Sequence, residues 1–158
     1  MAIQFSMADL EPLIREVIDK GGTFTMMPRG TSMLPLIRQG KDSVILSPLK
    51  EETLPGDVVL YKRDNGQFVL HRVMMAKNGV YTMCGDNQVV FEKGIENRHL
   101  IAIASGIIRD GKEITFSENE KYLSYTKKIL SEKKRKNLFY RIRKPIKKLL
   151  KALKLIKA

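Results

Sequence analysis

Only one cysteine, Cys84, is present, which removes an internal disulfide framework and a multi-cysteine zinc site. That usage permits a reducing compartment. No stretch reaches the ~18 uninterrupted apolar residues of a transmembrane helix. The opening MAIQFSMADLEP lacks both the basic start and the long apolar run of a cleavable signal peptide, so a cytoplasmic location is expected. Phosphate loops and metal-ligand clusters are also missing from the sequence, and neither a cofactor nor a metal is expected. Acidic residues are scarce in one region: residues 127–158 hold 14 Lys and Arg against one acid, Glu132. The preceding 126 residues carry 15 positive and 16 negative side chains, so the formal net charge of +12 belongs to the end of the chain. A charge argument about an anionic partner therefore concerns that end alone.

What is present suffices for one packed domain with an appendage: 43% of the 158 residues are apolar. Leu10, Leu13, Ile14, Val17 and Ile18 repeat at the spacing of a single helix stripe, which predicts an amphipathic helix over 9–20. Ser6 or Asp9 can cap its start and Gly21-Gly22 its end. Pro12 is tolerated only in a first turn, so the start is expected near Asp9. From Thr23 to Ser117 the pattern turns to β. The runs TFTMM, SVILSP, DVVLYKR, QFVLHRVMM, GVYTMC, LIAIASGIIR and EITFS read as strands, and DNG, KNG and RDG as hairpin turns between them. Helix formers dominate from Glu118. Tyr122, Tyr125, Ile129 and Leu130 suit a face against the body, and Pro145 is expected to break or kink the helix and leave 146–157 as a separate short one. This divides the chain into a mainly β body at 1–117 and a basic helical tail at 118–158.

The stretch carrying chemistry is PRGTSMLPLI, residues 28–37, where small polar residues set Ser32 on a tight turn ahead of Met33-Leu34-Pro35. Downstream lie PGDVVLYK (55–62), QFVLHRVM (67–74, with His71 mid-strand) and CGDNQ (84–88). These four segments, in this order over roughly residues 23–105, resemble the type I signal peptidases and the related LexA-type self-cleaving repressors. The resemblance implies a coiled β-sheet body with Ser32 as nucleophile. Bacterial members carry a lysine as base directly before an Arg or similar residue. The archaeal and endoplasmic-reticulum branch has a histidine there, and His71-Arg72 resembles that branch. Acidic residues in and after the G-D-N segment assist that branch, which points to Asp86 and to Glu92, where an Asp is usual. A hydroxyl residue two before the nucleophile is common in bacterial relatives. Gly30 occupies that place here, so Gly30, Thr31 and Met33 are the candidate oxyanion and substrate-binding residues, with the Ser32 N–H as first donor.

The chemistry is coherent on its own terms. A serine hydroxyl is a weak nucleophile until a base takes its proton, and imidazole, ordinarily titrating near ~6.5, suits that task. A carboxylate beyond the imidazole would fix its tautomer. His99, by contrast, reads as a strand-entry residue, Cys84 as a small core residue and Asp57 as a turn former.

Signal peptidases carry a transmembrane helix before the serine segment, and here the amphipathic helix at 9–20 takes that place. Ile142, Ile146, Leu149, Leu150, Leu153 and Ile156 form a stripe among the tail's lysines, which fits an in-plane helix on an anionic membrane surface through residues 133–158. Nucleic acid fits less well, because it has no use for the leucine-rich stripe. The expected protein is a serine endopeptidase cutting a peptide or leader segment at or near the inner face of the cell membrane. The rival expectation is a non-catalytic peptide-binding or regulatory module of the same fold.

Overall fold

The computed structural model describes residues 6–156, with side chains through Pro145 except those of Arg141 and Lys144. The chain is mainly antiparallel β-sheet between two helices. In order it forms α1 (Met7–Asp19), β1 (Phe24–Met26), β2 (Ser43–Ser47), β3 (Val58–Lys62), β4 (Phe68–Lys77), β5 (Val80–Cys84), β6 (Glu92–Glu96), a single 3-10 turn (Asn97–His99), β7 (Leu100–Arg109), β8 (Lys112–Thr115) and α2 (Glu120–Ile156). The strands lie side by side as β1-β2-β7-β3-β4-β5-β6, and β8 pairs with β7 beyond β3.

Ser6 starts α1 by a capping box. Its hydroxyl accepts from the Asp9 N–H at 3.2 Å, while the Asp9 carboxylate accepts from the Ser6 N–H at 2.9 Å. The helix therefore begins earlier than Pro12 suggested, and Pro12 lies inside it. The cap outweighs the one hydrogen bond that proline forfeits. Ile14 and Ile18 are buried and Leu10 packs on the same core, whereas Leu13 of the expected stripe stays 48% exposed. Glu11 accepts from Lys62 at 2.7 Å and ties α1 to β3.

All seven expected strands form. The KNG and RDG links make two-residue turns in which Asn78, Gly79, Asp110 and Gly111 all have positive φ, as the twist of a hairpin demands. An eighth strand, β6, gives no sequence signal: only Ile95 of its five residues is buried, and Gly94 sits at an irregularity in its pairing with β5.

Successive side chains on β3, β4 and β7 point to opposite sides of the sheet. Val58, Leu60, Ala102 and Ala104 join Ile14, Met33, Ile37 and Phe116 in one core. Val59, Tyr61, Val73, Tyr81, Met83, Ile95 and Leu100 form a second. This alternation separates His71 from Arg72, its neighbour on β4.

Pro145 does not end the terminal helix. α2 runs unbroken from Glu120 to Ile156, 37 residues, about 55 Å at the usual rise. Asn119 caps it by accepting the Tyr122 N–H at 2.9 Å. Its first half belongs to the body: Tyr122 stacks on Phe116 with ring centroids 3.8 Å apart, and Tyr122 and Tyr125 pack on the first core. Ile129 and Leu130 are half-buried. Of the expected amphipathic stripe, Ile142 is exposed. The side chains of Ile146, Leu149, Leu150, Leu153 and Ile156 lie outside the described residues.

Candidate active site

Ser32 sits on the turn between β1 and β2, which two buried side chains, Met33 and Ile37, pin to the core. Internal bonds close it: Leu34 N–H donates to Thr31 C=O at 3.2 Å and Ile37 N–H to Met33 C=O at 3.0 Å. The Cys84–Gln88 turn after β5 clamps it from outside. Asn87 N–H donates to Ser32 C=O at 2.7 Å, and the Asn87 amide donates to Thr31 C=O at 3.2 Å.

Gly85 marks where the pieces meet. A Cβ built there would lie 2.6 Å from the Ser32 carbonyl oxygen, 3.0 Å from Ser32 Cβ and 3.0 Å from His71 Nε2. Ser32 Cβ and His71 Nε2 are therefore at most twice that last distance apart, and only a residue without a side chain fits between them. Among the described residues no hydrogen bond yet joins Ser32 to His71, a geometry that commonly tightens only when substrate binds. Both residues, with Gly30 and Met33, line a cleft of about 230 Å³ that also includes Arg29, Arg63 and Gln88. Thr31 is exposed and is not part of that lining. Gly30 has a φ of +92°, which glycine adopts freely. No acceptor takes the Ser32 N–H among the described residues, which leaves it available to an oxyanion.

The far side of His71 is occupied by a residue that sequence reasoning missed. Tyr61 stands on β3, two residues from the position paired with His71, on the same face of the sheet. Its hydroxyl donates to Glu92 Oε2 at 2.6 Å and lies 3.3 Å from His71 Nδ1. Because the tyrosine proton is committed to Glu92, the phenol oxygen accepts from Nδ1–H, and the lone pair is left on Nε2, towards Ser32. Glu92 is held in turn by Arg63 through two bonds of 2.7 Å each. The order is thus Ser32, His71, Tyr61, Glu92, with a phenol between imidazole and carboxylate. The signal for Tyr61 was its same-face register with His71, readable only once the β3–β4 pairing is known.

Asp86 has different partners. Both its oxygens accept from Arg72, at 2.8 and 2.7 Å, and Tyr125 donates to it at 2.9 Å. No hydrogen bond links it to His71, so Asp86 acts on the imidazole only through space. Alternation along β4 explains this: Arg72, on the opposite face from His71, draws Asp86 towards α2. Arg72 is fully buried and also donates to Gly56 C=O and Thr126, tying two turns and the helix together.

Burial pushes the titration of His71 down to about 4, against the opposing pull of Glu92. The imidazole is consequently neutral at pH 7, the form a general base needs. Burial works against ionisation of Glu92 as well, yet Arg63 and Tyr61 outweigh it and hold the carboxyl below its ordinary range. Burial raises the Cys84 thiol, which suits an unreactive core residue. His99 is buried and accepts the Glu96 N–H at 2.8 Å, at the entry to β7. Asp57 accepts the Leu54 N–H at 2.8 Å within its turn.

Comparison with protein-family models, curated proteins and solved structures gives no match.

Proposed function

We propose that the chain is a serine endopeptidase of the signal-peptidase and LexA-like kind, with Ser32 as nucleophile and His71 as general base. The observation that carries this reading is the convergence of Ser32 and His71 Nε2 on Gly85, with the imidazole neutral and its Nδ1–H satisfied on the other side. Nε2 takes the hydroxyl proton as Oγ attacks the scissile carbonyl. The resulting imidazolium is stabilised by Glu92 through Tyr61, and the oxyanion by the Ser32 N–H. Nε2 then returns the proton to the leaving amine, and water hydrolyses the acyl-enzyme by the reverse sequence.

An extended peptide or leader segment suits the surroundings. β1 pairs with β2 on one side, and the Phe68–Leu70 part of β4 pairs with β3. Among the described residues no strand covers their other edges. Between them an apolar groove of about 610 Å³, lined by residues that include Met7, Leu10, Met26 and Met27, runs on from the cleft and shares Pro28, Arg29, Phe68, Val69 and Leu70 with it. Free strand edges flanking a side-chain groove favour a peptide added as a strand.

The membrane is the second half of the reading. No helix of the described residues is long and apolar enough to cross a bilayer. Leu138, Phe139 and Ile142 are exposed at 60%, 60% and 55% beside Lys134, Arg135, Lys136 and Arg143. Such a helix lies at an anionic surface rather than through it.

A fluorophosphonate probe tests the chemistry. The wild type should be labelled, and Ser32→Ala and His71→Ala should each abolish labelling. Labelling that survives both substitutions sinks the peptidase, and a folded wild type that resists the probe favours the binding module. Pelleting with anionic vesicles should fall when Leu138, Phe139 and Ile142 are all changed to Ser, and unchanged pelleting removes the membrane proposal.

A further inference from the structure

Lys133 is counted by sequence among the charges of the tail, but its place in the fold is different. It is 4% exposed, and its ammonium turns inward from α2 to donate to the Gln88 carbonyl, with Cys84 Sγ 3.8 Å away. Both partners belong to the turn that carries Gly85 and Asn87. No carboxylate pairs with Lys133 among the described residues; the acid next to it, Glu132, pairs with Lys128 and Lys136. Taking an unpaired ammonium out of water is costly. A leucine at this position of α2 would fill the space without that cost, so the charge and the donor have a use there.

The use follows from what the turn does. Its Asn87 holds the Ser32 carbonyl, and its Gly85 lies against both Ser32 and His71. Two tethers from α2 hold the other end of the same segment: Lys133 on Gln88 C=O and the Asn137 amide on Val89 C=O at 3.1 Å. Four charged groups bear on His71: Glu92 from β6, Arg63 from the loop before β4, Asp86 from the turn after β5, and Lys133. The phenol of Tyr61 also faces it, 3.3 Å from Nδ1. Glu92 is paired with Arg63, and Asp86 with Arg72. Among the described residues, Lys133 is the member of this group without an ion-pair partner.

We propose that Lys133 is a positioning residue of the Ser32–His71 site: it anchors the Cys84–Gln88 turn to α2 and places an unneutralised positive charge near the general base. The C-terminal helix is then part of the catalytic apparatus as far as Asn137, and only its later residues are available to a surface. This inference rests on the peptidase reading for its catalytic meaning, but its geometric content can be measured separately.

Two substitutions separate the charge from the tether. Lys133→Met removes both, whereas Lys133→Gln removes the charge and keeps a donor for the Gln88 carbonyl. The titration of His71 is followed by NMR through its ring protons, with His99 distinguished by substitution. Lys133 disfavours the imidazolium, so the midpoint should rise in both variants, by about half a unit. The rate of fluorophosphonate labelling should fall about tenfold in Lys133→Met and less in Lys133→Gln. A His71 midpoint unchanged in both variants overturns the proposal, as does labelling of Lys133→Met at the wild-type rate. A purely structural lysine would slow labelling without moving the midpoint, which also counts against it. The titration needs no catalysis, so it judges Lys133 even where labelling independent of Ser32 has removed the peptidase reading.

Discussion

Gly85→Ala adds one methyl group at the point where the serine turn, the imidazole and the β5–β6 connection meet. The backbone there has no positive φ, so alanine meets no conformational objection and the effect is purely steric. The new carbon would stand 2.6 Å from the Ser32 carbonyl oxygen, where ordinary contact begins at 3.4 Å, and 3.0 Å from both Ser32 Cβ and His71 Nε2. The carbonyl is backbone and is already held by the Asn87 N–H at 2.7 Å, so it cannot swing aside as a flexible side chain would. The serine turn must retreat by most of an ångström, and the imidazole by several tenths. Overpacking of this kind costs about 1–3 kcal/mol of stability. Displacing a nucleophile from its base by about 1 Å costs on the order of 10²-fold in rate. The assay is the second-order rate constant for fluorophosphonate labelling, measured beside thermal unfolding to show that the variant is folded. Labelling within about twofold of wild type, with an unchanged Tm, would show that Gly85 is not wedged between nucleophile and base.

Glu92→Gln removes the negative charge that favours the His71 imidazolium. With that charge gone, the midpoint near 4 should move further down, and the acid limb of the labelling profile with it, while the plateau rate falls because the transition-state imidazolium loses its support. A midpoint that rises instead refutes the Tyr61–Glu92 assignment. Arg72→Met leaves the Asp86 carboxylate buried without its counter-charge and should cost about 3–5 kcal/mol in urea unfolding, part of which Arg72→Met with Asp86→Asn recovers. A loss below about 1 kcal/mol would mean that the Arg72–Asp86 pair does not organise the turn.

The mainly β body was legible because strand and turn signals are local. β-branched runs separated by Asn-Gly and Asp-Gly leave few alternatives, and positive φ at Asn78 and Asp110 is what those dipeptides supply. β6 escaped because one buried residue in five makes no pattern. Pro12 and Pro145 look like helix limits under a rule about single hydrogen bonds. A capping box at Ser6 in one case, and continued helical backbone in the other, overrode it.

The sequence by itself determined which residues could do chemistry: a serine on a tight turn, a histidine in a strand, and acids downstream. It also determined that the positive charge gathers at the end of the chain, since that is a matter of counting. Which acid serves which partner was decided only by the tertiary structure. His71 and Arg72 are adjacent in the chain but point to opposite faces of β4, so Asp86 goes to Arg72, and Glu92 reaches His71 through Tyr61. The same holds for Lys133, one basic residue among many in the sequence, which the packing of α2 takes out of the tail and sets against the Cys84–Gln88 turn. Composition and local pattern cannot carry such information, because it lies in the pairing register and in the packing of elements distant along the chain.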